Sequence, residues 1–181
     1  MLNTLILIAI SAVIVLIIVF FYQLLARMRG APVVIAHDET MKKALTLLAL
    51  KAGDTLYDLG SGNGKVLFYA EKTYSVKTIG IEAAFLLVLY TKVVGFFKKS
   101  KTHFIHGDFT KMTLPVKPDA IYLFLMKPIL LKMDHVFDAL PSGTKIVSPV
   151  FEIKHPRIVE KEKVKDDLFS KGQFIYLYEV K

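Results

Sequence analysis

Three glycines within five residues could hold a ligand against bare backbone. Tyr57-Asp58-Leu59-Gly60-Ser61-Gly62-Asn63-Gly64 leaves one apolar run, Thr55 to Leu59, and enters another that begins at Lys65. Glycine at 60, 62 and 64 removes the Cβ atoms that would keep a ligand off the main chain, so the stretch reads as a strand, a tight turn and a helix start. A nucleoside-bearing ligand fits such a turn. The dinucleotide fingerprint G-x-G-x-x-G would need glycine at position 65 to seat a pyrophosphate on the helix N-terminus, and Lys65 stands there instead. Asp58, two residues before the first glycine, can fix the turn or face a cationic group.

Further acids follow in order. The strand Lys77-Thr78-Ile79-Gly80-Ile81 ends in Glu82, 22 residues beyond Gly60, where a carboxylate can accept both hydroxyls of a ribose. Thr102 to His106 runs into Gly107-Asp108-Phe109, and a fourth apolar strand, Ala120 to Leu125, follows Pro118-Asp119. His103 and His106 flank the third strand and read as packed or solvated. Tyr122, Phe124 and Met126 read as core or as pocket walls, with core expected for at least two of them because a buried sheet strand packs on both faces.

The sequence Asp-Leu-Gly-Ser-Gly-Asn-Gly resembles motif I of the class I S-adenosylmethionine-dependent methyltransferases. That resemblance implies S-adenosyl-L-methionine as cofactor. It also implies roles: Asp58 for the turn and the cofactor amino group; Gly60, Ser61, Gly62, Asn63 and Gly64 for the enclosing turn; Glu82 for ribose; Asp108 and Phe109 for the adenine amino group and ring.

From Gly30 onward the chain is similar to a narrower group, the small protein-lysine methyltransferases that include the mitochondrial ATP synthase c-subunit lysine methyltransferase and its archaeal relatives. The carriers are Ala31-Pro32-Val33-Val34, the motif from Tyr57 to Lys65, Gly80-Ile81-Glu82, Gly107-Asp108-Phe109 and Tyr122-Leu123-Phe124-Leu125-Met126. The chain departs from that group where Val33-Val34-Ile35-Ala36 replaces an aromatic-Val-Pro segment, and where Ala83-Ala84 follows Glu82 in place of Asn-Pro. The resemblance implies methylation of a protein lysine, membrane-embedded proteins included; separately, the sequence contains no recognised nucleic-acid module, so no nucleic-acid partner is expected. A methyltransferase of a lipid or quinone-like small molecule, and a non-catalytic membrane-anchored nucleoside-binding module, are the alternatives. A nicotinamide oxidoreductase is disfavoured by Lys65.

The elements that would position these residues can be read around them. The chain has 181 residues and a net charge of +8. About 150 residues remain for one domain once an apolar N-terminus is set aside. Without Cys there is no disulfide or thiolate metal site, and the five His show no H-x-x-x-H spacing, so no metal site is expected. Residues 1–29 contribute Arg27 and Arg29 and no acid, leaving +6 on residues 30–181. The basic runs around Lys98 and Lys161 read as solvated faces.

Residues 1–26 carry no charged side chain, and the 21 residues from Leu5 to Leu25 would span about 31 Å as a helix, close to the roughly 30 Å of bilayer hydrocarbon. The expected organisation is residues 1–29 as a single-pass anchor with its basic flank and 30–181 as the methyltransferase domain. Arg27, Arg29, Lys42 and Lys43 place that domain in the cytoplasm. Phe20, Phe21 and Tyr22 suit the membrane interface.

Asp38 reads as the N-cap of a helix over Glu39 to Leu50. Strands and helices then alternate: helix 65–74, strand 77–81, helix 85–99, strands 102–106 and 120–125, helix 129–139, strand 145–150. This pattern predicts an α/β fold, Rossmann-like, with a mostly parallel sheet. Too few residues separate Val150 from Arg157–Val164 for a crossover helix, so the last two strands, the second over Phe174–Val180, should form an antiparallel C-terminal edge hairpin. The helix from Phe85 is more apolar than sheet packing requires. It is either a core helix or one that touches the bilayer.

Overall fold

The computed structural model describes the backbone of residues 2–28, 37–166 and 173–181 and the side chains of 4–17, 37–166 and 173–181. The segment Ala31-Pro32-Val33-Val34, Arg29, the linker 33–36 and the strand connection 167–172 lie outside the described residues, as do the side chains of Phe20, Phe21, Tyr22 and Arg27. The chain divides into two compact units, Met1–Val33 and Val34–Lys181.

The first unit contains one helix, α1 (Leu2–Met28), of 27 residues, and its described side chains, 4–17, are exposed. Among the described residues no helix is long and apolar enough to cross a membrane.

In the second unit the elements follow in the order α2 (Asp38–Leu47), β1 (Thr55–Leu59), α3 (Lys65–Tyr74), β2 (Lys77–Glu82), α4 (Phe85–Lys98), β3 (His103–His106), β4 (Ala120–Tyr122), α5 (Lys127–Leu130), α6 (Asp134–Ala139), β5 (Lys145–Pro149), β6 (Ile158–Asp166) and β7 (Gln173–Val180). The described strands form one seven-stranded sheet in the order β3-β2-β1-β4-β5-β7-β6. β1 to β5 are parallel, and β7 runs antiparallel to both β5 and β6. The predicted α/β architecture with an antiparallel edge is present.

All five residues of β1 are buried, as expected of a central parallel strand covered on both faces. Leu56, Tyr122, Val147 and Ile175 share one face with Leu45, Leu67 and Val88 of α2, α3 and α4. Tyr57, Leu59, Ile121 and Ile146 share the other with Leu130, Met133 and Phe137 from the α5–α6 region. At the exposed edge, β6 shows Glu160, Lys161, Glu162 and Lys163 to solvent, and charges there discourage pairing with another chain.

Several predicted boundaries change. Asp38 is the first residue of α2 and His37 the N-cap, with no side-chain capping bond; the Asp38 carboxylate instead reaches Lys65 Nζ at the start of α3. The helix stops at Leu47, three residues short of Leu50. The expected helix 129–139 is two pieces, because Met133 takes φ −103°, ψ 6° and buries its side chain completely; core burial overrides the helical pattern there. β4 ends at Tyr122, three residues earlier than predicted. Leu123 still donates to the Val147 carbonyl at 2.9 Å, and beyond it the chain leaves the sheet. β2 extends by one residue to include Glu82, and β3 starts at His103.

Candidate functional site

The glycine turn sits at the C-terminal ends of the parallel strands, where ligands bind in open α/β sheets. Gly60, Gly62 and Gly64 have φ of +85°, +52° and +73°, a left-handed backbone that costs a side-chain-bearing residue roughly 1–2 kcal/mol. The amides of Gly60 and Ser61 both donate to the Ile81 carbonyl, at 2.8 and 3.2 Å, and Gly64 N–H donates to Ser61 O at 2.8 Å. Asn63 Oδ1 accepts from Lys65 N–H at 3.2 Å, so the side chain two places before the helix covers a donor that Gly64 cannot.

The three glycines do different work. A Cβ on Gly64 would lie 2.7 Å from Phe104 Cζ, and one on Gly60 would meet Leu125 Cδ2 at 3.0 Å. One on Gly62 would meet nothing closer than Gly60 O at 4.0 Å. Gly64 and Gly60 are therefore packed from within, whereas Gly62 faces open space, on the side a ligand could use.

Glu82 ties β2 to the turn. Its Oε2 accepts from Gly62 N–H at 2.9 Å and its Oε1 from Ala84 N–H at 2.8 Å. Each oxygen retains a further lone pair, so the carboxylate can hold the turn and still accept ribose hydroxyls.

Asp58 is 4% exposed. Burial, and secondarily the Glu82 charge, push its carboxyl up to about 8, so it is mostly neutral at pH 7. Tyr122 stands in register with Asp58 on the adjacent strand. Its hydroxyl is buried with no hydrogen-bond partner among the described residues, and so is Ser61 Oγ. Two acids, one kept neutral chiefly by its burial, lie beside an open glycine backbone. This donor set fits a ligand with an ammonium or sulfonium at one end and a ribose at the other, the chemistry of S-adenosyl-L-methionine.

Asp108 is the N-cap of a short 3₁₀ turn, Phe109–Lys111. Its Oδ1 accepts from the Thr110 hydroxyl at 2.6 Å and the Thr110 amide at 3.0 Å; the hydroxyl bond is the main cause that holds its carboxyl below the usual range. Phe109 is 6% exposed and belongs to the core, with its ring 3.7 Å from the Cβ position of Gly60. The structure thus groups Asp58, Gly60, Ser61, Gly62, Asn63, Gly64 and Glu82 around the turn and brings Phe109 beneath it, with Asp108 at the next strand end.

Leu125 and Phe104 were not among the predicted site residues, yet they shape it. Leu125 packs against Gly60, and Phe104 fills the space beside both Gly64 and Gly80. Their apolar character signals burial, and only the fold shows what they touch. Tyr122 is buried, Phe124 packs partly against the core, and Met126 is half-buried. His106 Nε2 lies 3.2 Å from Ala83 O and its ring packs edge-on to Phe85, while His103 is exposed. Among the described residues no cluster could hold a metal ion. Two open concavities, one lined by Met112, Leu114 and His135 and the other by Lys51, Asp54 and Lys145, lie away from the turn and contain none of these groups.

No family model matches the chain. A protein-lysine N-methyltransferase of Saccharolobus islandicus (strain REY15A) is 27% identical over 157 residues, covering 81% of this chain and 92% of that protein. An RNA methyltransferase from Salinibacter ruber, solved with S-adenosyl-L-homocysteine, matches with a TM-score of 0.71 at 24% identity, over 81% of this chain and 94% of that one. A SAM-dependent methyltransferase from Thiobacillus denitrificans, solved with the same compound, matches with a TM-score of 0.55 at 20% identity, over 70% of this chain and 50% of that one. The fold is the Rossmann-like methyltransferase fold.

Proposed function

We propose that this chain is an S-adenosyl-L-methionine-dependent methyltransferase whose acceptor is a protein lysine, held at the cytoplasmic face of a membrane by residues 1–29. The observation that carries the cofactor assignment is the pairing of Glu82, bonded to Gly62 N–H, with buried, neutral Asp58 across the glycine turn. The likeness to the Saccharolobus islandicus enzyme supports the lysine acceptor. The uncharged run from Met1 to Ala26 supports the anchor.

When bound, S-adenosyl-L-methionine supplies a methyl group that its sulfonium releases to a nucleophile. The chain's residues bind and orient: Gly62 permits close approach, Asp58 receives the ammonium, Glu82 receives ribose, and Asp108 with Phe109 flanks adenine. No Asn/Asp-Pro-Pro-Tyr stands after β4, where Phe124-Leu125-Met126-Lys127-Pro128 occurs. A neutral lysine amine needs no such support. Its deprotonation at pH 7 costs about 4.6 kcal/mol from an unperturbed pKa near 10.4. Half-buried Phe124 and Met126 give an apolar surround that lowers this cost by disfavouring the ammonium. Positioning and desolvation carry the reaction, with no obligatory side-chain base.

Isothermal calorimetry with S-adenosyl-L-methionine should show binding that Glu82→Ala removes or severely weakens while circular dichroism remains native. Unchanged affinity would remove Glu82 from its role. Radiolabel from the methyl group should migrate with protein in membranes from cells containing the chain. Recovery in the lipid extract or in RNA would replace the lysine reading.

A further inference from the structure

Helix α4 has a face that the domain leaves uncovered. Phe85, Leu86, Leu89, Tyr90, Phe96 and Phe97 are all large, apolar or aromatic and exposed, the last two at 79% and 77%. With 3.6 residues per turn they fall within one arc of about 140°, opposite Val88, Thr91 and Gly95, the buried residues of the helix. Packing on β2 and β3 therefore uses the small face and presents the large one outward. A contiguous apolar surface of this kind marks an interaction site.

Its chemistry selects the occupant. The segment 85–101 has no acidic residue, and it carries Lys92, Lys98, Lys99 and Lys101, all exposed. The helical period puts Lys92 at one edge of the apolar arc, while Lys98, whose Nζ lies over the Phe68 ring, Lys99 and Lys101 gather at the C-terminal end of the helix. An apolar face edged by lysines is the pattern of a helix lying in the interface of an anionic bilayer. The helix is firmly set: the Glu71 carboxylate takes hydrogen bonds from Lys101 N–H at 2.6 Å and Thr102 Oγ1 at 3.2 Å, and from Ser100 Oγ, just beyond its C-terminus. Nine residues, 29–37, separate α1 from α2, a tether no longer than about 30 Å when fully extended.

We infer that the outer face of α4 docks onto the anionic surface of the membrane in which residues 1–29 are anchored. Phe85 opens α4 three residues after Glu82 and packs against His106, so the docked helix brings the cofactor turn to the bilayer. Acceptor lysines at the membrane surface are then favoured over those of diffusing proteins. This rests on the anchor proposed above.

The chain has no cysteine, which permits a direct test on the full-length protein in vesicles of phosphatidylcholine and phosphatidylserine. An environment-sensitive fluorophore is attached to Val93→Cys on α4, or to Lys161→Cys on the far edge strand β6. Acyl-brominated lipid should quench the α4 label at least about threefold more than the β6 label, and pure phosphatidylcholine should reduce that difference. Phe96→Glu with Phe97→Glu, both exposed and thus compatible with folding, should abolish it. Equal quenching at the two positions overturns the inference, as does label-to-label contact between α4 helices at the same protein concentration, which would assign the face to a second copy. Carbonate extraction reports the anchor separately: a protein that resists extraction yet shows no α4 quenching loses only this inference, and one that is extracted loses the anchor as well.

Discussion

The antiparallel edge of the sheet and the tips of β1 and β4 treat buried polar groups in opposite ways. At the antiparallel edge they are paired: Tyr178 OH accepts from Ile153 N–H at 2.9 Å, and Arg157 donates to the carbonyls of Phe137, Asp138, Leu140 and Lys181. Gln173 Oε1, beside the undescribed stretch, is the exception there. At the tips of β1 and β4, Asp58 is buried next to another acid, while Tyr122 OH and Ser61 Oγ lack partners among the described residues. Unpaired buried groups are costly. Strand tips that tolerate them next to left-handed glycines are arranged for a ligand, and the paired edge is arranged for stability.

Substitutions can break this contrast, and the largest effect should come from the turn. Gly64→Ala combines a left-handed backbone with a clash on Phe104 and should destabilise the fold by about 2–5 kcal/mol in urea unfolding. Gly62→Ala meets no neighbour, so its cost should be near 1 kcal/mol, with the greater loss in cofactor affinity. Equal stability losses for the two would erase the distinction between packed and ligand-facing glycines.

Glu82→Ala comes next. Removing one charged acceptor from two backbone amides should weaken cofactor binding on the order of 100-fold by calorimetry, with a loss of about 1–3 kcal/mol in stability. Arg157→Ala should cost about 2–3 kcal/mol of stability and leave cofactor affinity unchanged. An affinity loss there would show that the two regions are coupled.

The last effect, read only against pH, belongs to Asp58. A carboxyl raised to about 8 binds a proton in the folded state that the unfolded chain, near 3.8, has already released. Its contribution to stability is therefore complete below about pH 4 and is lost as pH rises toward 8. Asp58→Asn should be more stable than the parent at pH 8, with the gap closing on acidification. A cationic cofactor would favour the carboxylate, so binding at pH 7 should release up to about one proton, seen as a buffer-dependent heat, and Asp58→Asn should abolish the release.

The alternation of strands and helices, the antiparallel end and the glycine turn were legible because each depends on local periodicity or on glycine's freedom near one point in the chain. The helix break at Met133, the early end of β4 and the loss of Asp38 as a cap were not. Each of these is set by a distant partner: core burial for Met133, the Gly60 surface for Leu125, Lys65 for Asp38. Helix α4 shows the same division, since its apolar residues were plain but the side facing solvent was not.

By itself, then, the sequence determined where the chain could bend to meet a ligand and which acids would lie at successive strand ends, because those properties reside in residue type and spacing. Only the tertiary structure decided that Glu82 holds the turn, that Asp58 is neutral, that Phe109 packs underneath and that α4 turns its large side chains outward. Hydrogen-bond partners, desolvation and exposure are properties of neighbours in space, and neighbours from separate strands and helices meet only when the sheet is assembled.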